Sequence, residues 1–181
     1  SVEELLEDIR RRVEKVKEDN KRMLEDLERK NRELKKEADD LAREIKKRVR
    51  DLEKELDEKL TDEEKVERLK RRLKKKLDEL DRKLKENEDR NREENEKSKE
   101  DSKRLHEKLE RLRERIERIV RAGDSGSKLV EEVRKLLEEA RRESEELLRR
   151  HKKLVDDNRR HIRKLFEDVK KILDDARKEV E

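Results

Sequence analysis

Core-type positions in this chain return every eighteen residues, and that period constrains the fold more than any other feature. Ile9, Leu27 and Ile45 stand eighteen apart, as do Leu69, Asn87 and Leu105, then Leu73, Asn91 and Leu109, then Val133, His151 and Val169. Eighteen residues make five turns at 3.6 residues per turn, so these positions come back to one face of an α-helix. A strict seven-residue repeat would impose a left-handed supercoil, whereas an eighteen-residue repeat predicts straight helices. Between the repeats the apolar spacing is three or four, as in Ile9, Val13 and Val16, the mark of an amphipathic helix.

Two breaks divide the pattern. Continuing the first stripe from Val49, Leu52 and Leu56 calls for apolar residues at 67, 70 and 74, but Val66, Leu69 and Leu73 come one earlier. That is a rotation of about 100°. Thr61 and Glu64 form a capping-box pair at the same place, as Ser1 and Glu4 do at the start of the chain. The second break, "AGDSGS" at 122–127, offers Gly123 as a helix terminator and Ser127 as an N-cap. The expectation is all-α: three helices at about 2–60, 62–121 and 128–180, each roughly 80–90 Å long. Short connections make neighbours antiparallel, which predicts a single domain over 1–181, an up-down-up three-helix rod with one continuous core.

Composition agrees with long helices rather than an ordinary globule. Charged residues make up 63% of the chain and apolar ones 27%, with no Pro, Cys or Trp. Lys and Arg lead Asp and Glu by 59 to 55, and the two signs alternate along every segment. With no single-sign stripe to follow a phosphate backbone, nucleic acid is not an expected partner. No apolar run approaches the roughly 20 residues that cross a bilayer, and no signal peptide is evident, so the chain reads as soluble without a localisation signal. The narrow, interrupted stripe argues against a membrane surface as well.

One segment departs from the apolar stripe. Residues 87–104, "NEDRNREENEKSKEDSKR", contain no apolar side chain. Its Asn87, Asn91, Asn95, Ser98 and Ser102 nevertheless occupy stripe positions, with the charges between them pointing outward. A linker has no reason to keep this register, so the segment is read as core-facing helix in which Leu has been exchanged for Asn and Ser. Unpaired buried amides and hydroxyls cost about 1–3 kcal/mol each, so partners are expected across the core. With turns near 61 and 124–125, residue i of the second helix lies level with about 122 − i on the first and 249 − i on the third. Asn91 then meets Asn31 and Asn158, Ser98 meets His151 and the Met23/Leu24 pair, Asn87 meets His161, and Ser102 meets Asn20 and Ser144. These eleven residues are the predicted buried polar network, a device that fixes register and topology.

Straight helices with an eighteen-residue repeat, Asn/Ser/His layers in a Leu/Ile/Val core and a Lys/Arg/Glu/Asp surface resemble computationally designed helical bundles with buried hydrogen-bond networks. The "LTDEEK" turn is similar to connections used in such designs. The resemblance covers the whole chain and implies a scaffold without evolved activity. Spectrin-type repeats carry core aromatics and shorter units, and exchangeable apolipoproteins are punctuated by Pro, so both fit less well.

Chemistry on a substrate is not expected. His151 and His161 lie about 80° apart around one helix and lack the i,i+4 spacing of helical zinc pairs, so no metal or other cofactor is implied; His106 sits at the stripe's edge. "GDSG" has neither a triad nor a β-fold around Ser125, and reads as a flexible connection. A neutral buried His, however, should make the bundle sensitive to acid. Two functions remain. One is a self-contained designed scaffold requiring no partner. The other is an interaction module that accepts a fourth helix, from a peptide or another copy, between the first and third helices. The scaffold leads; doubled apolar positions such as Leu5/Leu6, Met23/Leu24, Leu136/Leu137 and Leu147/Leu148 lend some support to the module, although wide stripes also suit an ordinary three-helix core.

Overall fold

The computed structural model describes residues 2–123 and 126–180, and of Ser127 only the backbone. The fold is all-α, with three helices in chain order: α1 (Val2–Lys59), α2 (Glu63–Ala122) and α3 (Ser127–Lys178). Contacts divide the chain into two compact units. Unit 1 is Ser1–Arg29 with Glu93–Leu154, and unit 2 is Lys30–Arg92 with Val155–Glu181. Each unit is a three-helix bundle that takes one stretch from α1, α2 and α3.

Leu, Glu, Lys and Arg dominate all three helices, and these lose little side-chain freedom in a helix. Pairs such as Arg48–Glu44 and Arg12–Asp8 add the i,i+4 attraction expected on solvated faces. α1 ends at Lys59, with Leu60 N–H still bonded to the Leu56 carbonyl at 3.2 Å. The cap of α2 falls one residue later than expected. Asp62, not Thr61, holds the N-terminus: its Oδ1 accepts from Lys65 N–H at 3.3 Å and its carbonyl from Val66 N–H at 3.0 Å. Asp caps a helix as well as Thr does, and the site one residue on puts Val66 at the core.

At the other connection Gly123 terminates α2 with φ +63°, donating to the Val120 carbonyl at 3.2 Å. The Gly126 carbonyl accepts from Leu129 and Val130, which puts the cap of α3 at Gly126 and Ser127 inside the helix. The caps expected of the Ser1 and Ser127 side chains, and the residues Asp124 and Ser125, lie outside the described residues.

In unit 1 the apolar core joins Leu6, Ile9, Val13, Val16 and Met23 of α1 to Leu105, Leu109, Leu112, Ile116 and Ile119 of α2, and to Val130, Val133, Leu137, Ala140 and Leu147 of α3. Unit 2 has its own cluster, from Ile45–Leu56, Val66–Leu80 and Ile162–Ala176. The eighteen-residue repeat is legible as burial: Ile9, Leu27 and Ile45 are all buried, and so are Leu69, Asn87 and Leu105.

Within each unit α2 runs against α1 and α3. Ion pairs between α1 and α2 include Lys17–Glu110, Arg113–Glu14 and Lys99–Glu28 in unit 1, and Lys35–Glu88, Lys46–Asp81 and Lys70–Asp57 in unit 2. The residue numbers in these pairs add to between 123 and 127, within about one and a half turns of the expected 122. Pairs between α2 and α3, such as Arg115–Glu132 and Lys108–Glu143, add to 247 and 251 against the expected 249.

The two candidate caps make a direct test. Asp62→Ala should lower stability by about 1 kcal/mol in urea unfolding, while Thr61→Ala should change it by only a few tenths. Equal losses at the two positions would overturn the assignment of Asp62.

Candidate functional site

The chain's distinctive groups are its buried polar side chains: Asn20, Asn87, Ser98, Ser102, His151 and Asn158. Each reaches the interior because it replaces an apolar residue in the repeat. Asn87 stands between Leu69 and Leu105, Ser98 between Leu80 and Ile116, Asn158 between Ala140 and Ala176, and His151 between Val133 and Val169.

In unit 1, Ser102 of α2 and Asn20 of α1 bond reciprocally, as their register predicts. Ser102 Oγ donates to Asn20 Oδ1 at 2.9 Å, and Asn20 Nδ2 donates to the Ser102 carbonyl at 3.1 Å. The second bond fixes Asn20 to backbone, so sliding α1 along α2 breaks both contacts together. In unit 2, Asn87 Nδ2 of α2 donates to Asn158 Oδ1 of α3 at 2.5 Å.

The Asn87 pairing differs from the sequence reading, which gave Asn158 to Asn91 and placed His161 beside Asn87. His161 is exposed, so its assignment to the buried network is corrected; Ile162 takes the interior position next to it. The isoleucine gains more from burial than the polar imidazole does, so it takes the core-facing position. A signal for this existed. The residues eighteen before and after His161 are Glu143 and Glu179, surface carboxylates that pair with Lys108 and Lys65.

Asn31, Asn91, Asn95 and Ser144 are half-buried rather than buried. Asn31 belongs to α1 and Asn91 to α2 in unit 2; Asn95 of α2 and Ser144 of α3 belong to unit 1, with Ser144 in the seam between α1 and α3. His106 is exposed, 4.0 Å from Glu110.

Ser98 of α2 and His151 of α3, which the sequence register sets level, are both buried in unit 1. His151 differs from the other buried polar groups. Both ring nitrogens are buried without a hydrogen-bond partner. Burial holds its pKa below the usual histidine value; the neighbouring Arg150 lowers it further, and Asp101 opposes. Arg150 reaches across to Asp101 at 3.2 Å and covers the outer edge of this layer. The sequence reading missed that ion pair, although 249 − 101 gives 148, within a turn of Arg150.

Among the described residues no group of three or more His, Asp or Glu is placed to hold a metal ion, and no helix is long and apolar enough to cross a membrane. No protein-family model matches the chain, and no curated protein or solved structure matches it either.

The Asn20–Ser102 pair should behave as one unit. Ser102→Ala and Asn20→Val should each destabilise by about 1–3 kcal/mol, because each strands a buried polar group. The double variant should cost less than the two losses added together, with a coupling of about 0.5–3 kcal/mol in a double-mutant cycle from urea unfolding. Strict additivity would show that the bonds contribute nothing jointly.

Proposed function

We propose that this chain is a structural scaffold of designed origin, in which buried Asn and Ser side chains specify helix register and no substrate chemistry is performed. The observation that carries the reading is the placement of Asn20–Ser102 and Asn87–Asn158 across helix interfaces, at positions that the repeat elsewhere fills largely with Leu, Val and Ala. Apolar rows that recur every three or four residues tolerate a slip of one turn, whereas a hydrogen bond about 3 Å long does not survive a shift of about 5.4 Å. The polar pairs therefore serve specificity more than stability. The mixed-charge surface and the period shared with designed bundles support the designed origin.

Asn87→Leu combined with Asn158→Ala tests this, since it restores the residues found eighteen positions away. Thermal stability should hold or rise. Spin labels on Lys83→Cys and Lys170→Cys, convenient in a chain without cysteine, should give one narrow distance in the parent and a broadened or split distribution in the variant. One unchanged narrow peak in the variant would overturn the register reading.

The seam between α1 and α3 of unit 1 favours a second reading, a module that accepts a fourth helix. A groove of about 740 Å³ runs there over Val16, Met23, Leu137 and Leu148, with Ser144 in its wall. Leu148 and Leu5 are exposed. The rim charges pair along their own helices, Arg12 with Asp8, Arg22 with Glu18 and Arg141 with Glu138, while the seams on either side of α2 are laced across helices. A peptide copying residues 93–122, whose stripe already packs between α1 and α3, is the natural probe. Saturable binding to a monomeric chain, followed by light scattering, supports this module; no binding at about 100 µM removes it.

A further inference from the structure

We propose that His151 is an acid-sensitive latch for unit 1: its protonation loosens the helix packing of that unit while unit 2 remains closed. His151 is 3% exposed, and neither ring nitrogen has a partner. A neutral imidazole leaves one N–H unbonded in that site; an imidazolium would leave two, together with an unsolvated charge.

Among the described residues, the charges that act on the ring are those of Arg150 and Asp101; Glu94, half-buried one turn from Ser98 on α2, is not among them. From α2, the nearest carboxylate is Asp101, already engaged by Arg150 and within 3.8 Å of Arg104. On α3 itself the adjacent charge is Arg150, which repels a second cation. The level of α1 follows from Lys99–Glu28 beside Arg150–Asp101, and there α1 places Met23 and Leu27 inward. Two carboxylates of α1 at this level, Asp26 and Glu28, pair with Arg29 and Lys99. Ser98, the buried polar residue of α2 that the register sets level with His151, carries no charge.

The direction of the effect follows from linkage. The closed unit holds His151 neutral, because burial and Arg150 lower its pKa. Opening exposes the ring and returns it to the ordinary value near 6.5, so the open form takes up the proton. The contribution to stability is complete above that value and is lost as pH falls below it. Opening should become up to about tenfold more favourable between pH 7.5 and 5.5. The effect is confined to unit 1, because His161, the histidine of unit 2, is exposed, and so is His106.

Amide hydrogen exchange on the full chain at pH 7.5, 6.5 and 5.5, corrected for intrinsic rates, reads this directly. Protection over 109–116 and 133–147 should fall up to about tenfold, and protection over 69–80 and 162–169 should hold. His151→Val, which restores the residue found at 133 and 169, should abolish the fall; His161→Gln should leave it in place. An equal fall in both units, or the same fall in His151→Val, would overturn the proposal. So would an imidazole NMR titration of the unaltered chain in which His151 takes up its proton at the ordinary value while protection in unit 1 stays constant.

Discussion

Burying an amide without replacing its hydrogen bonds costs about 1–3 kcal/mol, and the packing of both units depends on meeting that demand at a few points. The apolar stripe alone is poorly specifying. Leu, Val and Ile recur every three or four residues, and the whole pattern returns after five turns, so a helix shifted by one turn still meets apolar neighbours. Asn20 against Ser102, and Asn87 against Asn158, form bonds that exist at one offset, and the proposed register role rests on this. The first pair lies in unit 1 and the second in unit 2.

Surface charge points the same way. Most charged side chains are exposed, where an ion pair contributes only about 0–1 kcal/mol. Arg113–Glu14, Lys35–Glu88 and Lys46–Asp81 between α1 and α2, with Arg115–Glu132 and Lys108–Glu143 between α2 and α3, nevertheless agree with one register in both units. Weak terms that agree widen the gap between the observed packing and shifted alternatives. α2 anchors both seams; at the seam between α1 and α3 the described pair is the long Arg177–Glu55 contact at 4.0 Å in unit 2. That asymmetry, more than apolar composition, is the ground for proposing that the α1–α3 side of unit 1 accepts another helix.

His151 shows the cost of placing a titratable group where the other layers carry amides and hydroxyls. An Asn can both donate and accept through one rotatable side chain, and a Ser can also bond a nearby carbonyl. The imidazole is rigid and larger, and its two nitrogens face opposite ways around the ring. Filling the Val133/Val169 position with it preserves the packing while leaving the polar atoms unanswered. The same residue thus contributes volume to the core and a charge-state dependence to unit 1.

The three helices, the breaks between them and the stripe each one buries were legible in the sequence, because they follow from local periodicity and from the scarcity of Gly and Pro. The register was legible to within about one and a half turns, since short connections leave little freedom in how antiparallel neighbours align. Finer assignments were not. The α2 cap fell on Asp62 rather than Thr61, and His161 turned outward in favour of Ile162, although Glu143 and Glu179 at the repeat positions already argued for the outward face. Asn158 answered Asn87 instead of Asn91. The sequence by itself determined that polar side chains would line the inner faces of these helices. Which of them meet, and which are left half-buried or unpartnered, was decided only by the tertiary structure, because hydrogen bonding requires atoms within about 3 Å, a distance shorter than the 5.4 Å turn by which a periodic pattern can locate them.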